Sequence, residues 1–155
     1  MRLELIEIKG ILLPEEDSYV IRIACGDTKM LDEPFRASAS RLRGLRVLIV
    51  EDSWHIASTV ESLLERVGMV IVGAAATASD AEQYVHDSDP KVAVVDIKLR
   101  DGMAYGLIDR LHDVGVPVIV VTGFGAFSMP LGKAVAILQK PFSADELLAA
   151  LLLAV

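Results

Sequence analysis

The chain has 155 residues, of which 53% are hydrophobic and 24% charged, a balance that supports one folded domain with a modest appendage and excludes disorder for its bulk. Fifteen Lys and Arg against twenty-two Asp and Glu leave a net charge of −7, so a nucleic-acid-binding module, which needs a concentrated positive patch, is not expected. Cys25 is the single cysteine, which excludes an intramolecular disulfide and any cysteine-rich zinc site.

The N-terminus alternates charged and apolar residues from Arg2 onward, unlike a signal peptide. Arg2–Lys9 and Ser18–Ala24 are β-rich and flank a turn-forming Leu13-Pro14-Glu15-Glu16-Asp17. After Gly26 come small and polar residues up to Gly44, which have the character of a linker. Residues 1–44 are therefore expected to form a β-rich extension and linker, ahead of a main domain at 45–155. A lone hairpin is marginally stable, so this one must pack on the main domain, pair with a second copy in a homodimer, or fray. A translation start at Met30 would remove most of it.

From Leu45 onward, short apolar runs alternate with helical segments. The runs are Leu45–Val50, Met69–Ala75, Val92–Asp96, Val116–Thr122 and Ala134–Gln139, rich in Val and Ile and apolar at nearly every position, as strands buried on both faces are. Ser53–Val67 puts Ile56, Val60, Leu63, Leu64 and Val67 on one helical face and stops at Gly68. A shorter helix starts at Ser79, and another spans Met103–Val114 before Gly115. Gly123 to Lys133 is poor in helix formers, so a short or irregular element is expected there. Ser143 is a good N-cap for a final helix with Asp145 and Glu146 in its first turn. The leucines of that helix cover more than one stripe, which suits either a deeply sunk helix or a partner surface. The order predicts a (βα)5 fold, a doubly wound, flavodoxin-like parallel sheet of five strands. No apolar stretch approaches the ~20 residues of a membrane span, so a cytoplasmic protein without a membrane partner is expected.

In an open sheet of this kind the functional groups gather at the C-terminal ends of the strands. The first strand ends in Glu51-Asp52, the third in Asp96, the fourth in Thr122-Gly123 and the fifth in Lys140-Pro141. Singly, each has an ordinary structural use: acidic residues cap helices, Asp96 can open a turn with Asp101-Gly102, and a lysine before proline can be a solvated charge. Together, three carboxylates on one rim repel one another and need a counter-ion. Oxygen ligands of this type suit Mg²⁺, and the lysine offers a point charge for a phosphate oxygen.

These residues, in the runs Val-Leu-Ile-Val-Glu51-Asp52, Val-Val-Asp96-Ile-Lys-Leu, Val-Ile-Val-Val-Thr122-Gly and Leu-Gln-Lys140-Pro141-Phe, make the chain from about Leu45 to its end resemble the receiver domains of two-component response regulators. The resemblance implies that Asp96 is the phospho-acceptor, that Asp52 and Glu51 position Mg²⁺ with the carbonyl of Lys98, that Thr122 bonds the phosphoryl group and that Lys140 pairs with it. It also implies a cis Lys140–Pro141 bond, a histidine kinase or histidine phosphotransfer protein as phosphodonor, and output through a downstream protein. Such a protein accepts phosphate covalently and is not a turnover enzyme beyond slow self-dephosphorylation. The chemistry is consistent: a carboxylate nucleophile forms an acyl phosphate, and phosphoryl transfer needs mainly positioning and charge neutralisation.

Two positions depart from the family's usual pattern. Arg100 stands where many receivers have proline, and Ile137 replaces the aromatic that couples to the Thr in switching. Thr122-Gly123-Phe124 resembles a Thr-Gly-aromatic subgroup of stand-alone stress regulators. With no ring at 137, switching is expected through ordering of Gly123–Lys133, with Phe124, Phe127 or Met129 packing down. Two alternatives are a receiver-like binding module that works without phosphorylation, and a Mg²⁺-dependent phosphatase. The second lacks the Asp-x-Asp of the haloacid-dehalogenase type, since Ser53 follows Glu51-Asp52. A P-loop fails at Phe127 and Ala134, and His55, His86 and His112 share no metal-ligand spacing. Trp54 suits packing or a partner contact.

Overall fold

The apolar runs pair into one parallel sheet in this computed structural model, which describes residues 40–123 and 132–155. Its strands are β1 (Arg46–Val50), β2 (Val70–Ala75), β3 (Val92–Asp96), β6 (Val118–Thr122) and β7 (Ala136–Gln139), in the order β2-β1-β3-β6-β7. Among the described residues four helices accompany them: α1 (Trp54–Arg66), α2 (Ala78–Ser88), α3 (Tyr105–Asp113) and α4 (Ala144–Leu153). A small antiparallel ribbon, β4 (Lys98–Leu99) with β5 (Gly102–Met103), follows β3.

Alternation along each strand builds a core on each face of the sheet. Val47, Ile49, Val94, Ile119 and Val121 pack with Ala57, Val60 and Leu64 of α1 and Leu147, Leu148 and Leu151 of α4. Leu48, Val50, Val95, Val118 and Val120 pack on the other side with Ala81 of α2 and Leu107, Ile108 and Leu111 of α3. Covering both faces is why the strands are apolar throughout. Most of α4 is thereby sunk in the core; only Leu153 among its leucines is exposed, so the partner-surface alternative does not hold for this helix.

The five expected strands are all present; β3 matches its apolar run at both ends, and the other four begin one or two residues later than theirs. Two helix starts differ. The second helix begins at Ala78 rather than Ser79, because the Thr77 hydroxyl accepts from the Asp80 amide and caps it. The third begins at Tyr105 rather than Met103, because Met103 pairs with Lys98 in the ribbon. Ser143 caps α4 as expected, in a reciprocal capping box with Glu146. The last residues of the expected linker are integrated rather than loose. Ser40–Leu42 form a 3-10 turn, Leu42 is completely buried in the core shared by α1 and α4, and the Gly44 amide donates to the Gly68 carbonyl at 2.7 Å. The β-rich runs before residue 40 and most of the Gly123–Lys133 stretch lie outside the described residues.

Candidate functional site

Parallel pairing decides which residues meet. β1 and β3 run side by side with Val50 opposite Val95, so Glu51 and Asp96 leave neighbouring strands together. β3 and β6 pair with Asp96 opposite Val121, which sets Thr122 one residue beyond the carboxylate. Thr122 faces Gln139 of β7, and the Lys140 amide donates to the Thr122 carbonyl at 2.7 Å. The Lys140–Pro141 bond that follows is cis. All the residues expected at the rim therefore reach it.

Glu51, Asp96 and Thr122 are the buried polar residues of the described chain, at 8%, 7% and 4% exposure, and Asp52 is half-buried beside them. Lys140 reaches across the rim, and its Nζ donates to Glu51 Oε2 and to Asp96 Oδ2, each at 2.7 Å. The second Glu51 oxygen accepts from the Ser53 amide at 3.0 Å, and the second Asp96 oxygen from the Lys98 amide at 3.1 Å. Glu51 thus serves both uses open to it from the sequence: it braces the start of α1 and contributes to the rim. Ser53, the N-cap itself, makes no side-chain cap bond.

Burial raises the Glu51 carboxyl above its ordinary value; hydrogen bonds from Lys140 and Ser53 oppose the shift without cancelling it, and the nearby Asp96 charge adds to it. For Lys140 burial works against the ammonium, but hydrogen bonds to Asp96 and Glu51 and the charges of both outweigh it, so its value is raised. One cation thus holds two buried carboxylates, and Asp52 lies alongside.

One oxygen from each of Glu51, Asp52 and Asp96 lies within 4.8 Å of the others. Hard, anionic oxygens at this spacing could share a small divalent cation, and Mg²⁺ takes one or two carboxylates while keeping several waters. The donor set fits that ion. The Lys98 side chain is exposed, and only its backbone bears on the rim.

The histidines stay out of this chemistry. His86 and His112 are exposed beside Asp87 and Asp113. His55 is exposed and stacks on Trp54 with ring centroids 4.2 Å apart. Trp54 is itself 69% exposed, so it is not a packing residue. One residue near the site was legible only as part of a turn: Asp101, whose carboxylate accepts from the Ala78 amide at 3.1 Å and, more loosely, from Ser79 at 3.4 Å. More than twenty residues separate these partners, and no local sequence pattern announces such a pairing.

Comparison with known proteins places this geometry in context. The model of the response regulator receiver domain matches residues 47–152. The chain is 33% identical over 116 residues to protein PilG of Pseudomonas aeruginosa, covering 70% of this chain and 85% of PilG. It is also 33% identical over 98 residues to the phyllosphere-induced regulator PhyR of Methylorubrum extorquens, covering 61% of this chain but 36% of PhyR. Among solved structures, the response regulator PhyR from Brucella abortus superposes with a TM-score of 0.70 at 29% identity, over 79% of this chain and 52% of that one. SdrG from Sphingomonas melonis Fr1 superposes with a TM-score of 0.63 at 30% identity, over 72% of this chain and 96% of SdrG. The chain thus spans about half the length of the solved PhyR structure it resembles and nearly all of SdrG. A family model that spans most of the chain, on a sheet whose strand ends gather this set of residues, identifies the protein as a member of the response regulator receiver domain family.

Proposed function

We propose that this chain is a phospho-accepting receiver that takes one phosphoryl group onto Asp96 from a histidine kinase or phosphotransfer protein. The observation that carries this is the bridged rim: a buried Asp96 carboxylate held by Lys140, within a cluster of three carboxylates able to bind a divalent cation. An Asp96 oxygen attacks the donor's phosphorus, the bond from phosphorus to the donor nitrogen or oxygen breaks, and the donor departs with that electron pair. Glu51, Asp52, Asp96 and the Lys98 carbonyl would hold Mg²⁺, whose charge when bound offsets that of the incoming phosphoryl oxygens. Lys140 exchanges part of its pairing with Glu51 and Asp96 for a phosphoryl oxygen, and the Thr122 hydroxyl bonds another. Turnover is stoichiometric, one phosphate per chain, with slow loss by hydrolysis.

Output runs through contact with a downstream protein in the cytoplasm. A PhyR structure from Bartonella quintana, described as an anti-anti-sigma factor, resembles this chain over about half of its own length and supports a partner-binding output. The receiver spans 45–155 and residues 1–44 precede it as an extension, of which Leu42 is buried in the receiver's core.

The test is labelling by a small acyl phosphate. Wild type should take up one phosphate per chain only with Mg²⁺, mapped to Asp96, and Asp96→Ala should take up none. Absence of labelling with Mg²⁺ bound would favour a phosphorylation-independent binding module, and sustained phosphate release a phosphatase.

A further inference from the structure

We infer that Asp101 is a positioning residue for the metal and phosphoryl site: by anchoring the loop after β3 to the N-terminus of α2, it keeps the Lys98 backbone in register with the acidic rim. This rests on the function proposed above.

The loop is closed at its base and open at its tip. The Ala104 amide donates to the Ile97 carbonyl at 2.8 Å, and the ribbon pairs Lys98 with Met103 and Leu99 with Gly102. Ile97, Leu99 and Ala104 are buried in the core between the sheet and α3. Arg100, Asp101 and Gly102 at the tip are exposed, so no apolar packing fixes them. The tip is tied down by the Asp101 carboxylate, which accepts from the Ala78 and Ser79 amides.

Those two amides are among the first in α2 and have no partner within the helix, and the positive end of the helix dipole favours a carboxylate there. The helix's own cap, Thr77, serves Asp80 instead. The two side chains therefore divide the first turn, one from the preceding residue and one from a loop more than twenty residues away. Only Ala81 of α2 is fully buried, so the helix relies on such end contacts more than its neighbours do. The Asp101 carboxylate accepts its hydrogen bonds from α2 and not from a rim residue. It acts through Lys98, whose amide already holds Asp96 and whose carbonyl is placed by the same ribbon. Freeing the tip lets the ribbon swing and loosens both groups at once.

The experiment uses the full chain, with Mg²⁺ binding measured by calorimetry and Asp96 labelling by a small acyl phosphate. Asp101→Ala should weaken Mg²⁺ binding about tenfold, as loss of a group that orients a metal ligand does, and slow labelling at sub-saturating Mg²⁺. Asp101→Asn keeps one acceptor and should recover part of the loss. Thr77→Ala is the control: it removes the other cap of the same helix end, should lower the melting temperature, and should leave Mg²⁺ affinity unchanged. Wild-type Mg²⁺ affinity in both Asp101 variants, or an equal loss in Thr77→Ala, would overturn the inference while leaving the acceptor function standing. A wild-type chain that neither binds Mg²⁺ nor labels would overturn both.

Discussion

Glu51 and Lys140 set the electrostatics of the rim in opposite ways. The native Glu51 value is raised, so between its unfolded value and that raised one the folded protein holds the extra proton. Stability of the metal-free protein therefore declines as pH rises through this window. Glu51→Gln removes that ionisation, and it should flatten the decline in a series of metal-free melts while weakening Mg²⁺ binding. Lys140 is also raised, so its contribution is complete below the unfolded lysine value and is lost only as pH climbs through the folded one, on the alkaline side. Lys140→Ala leaves two buried carboxylates without their cation. It should destabilise the metal-free protein by up to about 3 kcal/mol, lessened by the partial exposure of the lysine, and Mg²⁺ should restore part of the loss. Urea melts with and without Mg²⁺ would check this; a variant as stable as wild type without metal would show that the carboxylates do not depend on Lys140.

At the scale of elements, β2 and α2 meet at a point of unusually close contact. The pairing of β1 with β2 slips between Val47 and Leu48, so Val72 is an extra residue, a bulge next to Gly73. A Cβ on Gly73 would lie 2.5 Å from the Tyr84 ring, so only glycine lets that ring lie against the strand. Gly73→Ala should cost about 1–3 kcal/mol through overpacking, and the penalty should shrink in a Tyr84→Ala background, which a double-mutant cycle measures. Arg46 ties the other end of α2, donating from Nε to the carbonyls of Ser88 at 3.2 Å and Asp89 at 3.3 Å. Helix α4 is held differently, by leucines in the core and by its capping box. Ser143→Ala should therefore cost about 1 kcal/mol and leave Mg²⁺ binding unchanged.

For the molecule as a whole, the residues just before the domain belong to its core. Leu42 is fully buried against α1 and α4, and Arg41 donates to the Val155 carbonyl at 2.8 Å, so the two ends of the described chain meet. Leu42→Ala should destabilise the domain by about 2–5 kcal/mol, while Arg41→Ala, at an exposed contact, should be close to neutral. Truncation just before Ser40 should preserve the melting temperature far better than truncation just after Arg43. Equal melting of the two truncated proteins would show that Leu42 contributes nothing to the core.

Strand identity and the rim residues were legible before any coordinates. An apolar run of β-branched residues has one economical use in an alternating chain, and a parallel sheet brings its C-terminal strand ends to one edge. Glu51, Asp52, Asp96, Thr122 and Lys140 followed from that topology alone, because each stands at or just beyond a strand end. The caps divided in the same way: Ser143 with Glu146 is a pattern three residues long and could be read directly, as Thr77 with Asp80 could have been. The contacts that escaped are those between residues distant in the chain, namely Asp101 on α2, Leu42 beneath α1 and α4, and Tyr84 against Gly73. Sequence periodicity reports which face of an element is apolar, and it carries no information about which distant element arrives to cover that face or cap that end. Those partners depend on sheet order, loop path and register, which exist only once the chain has packed.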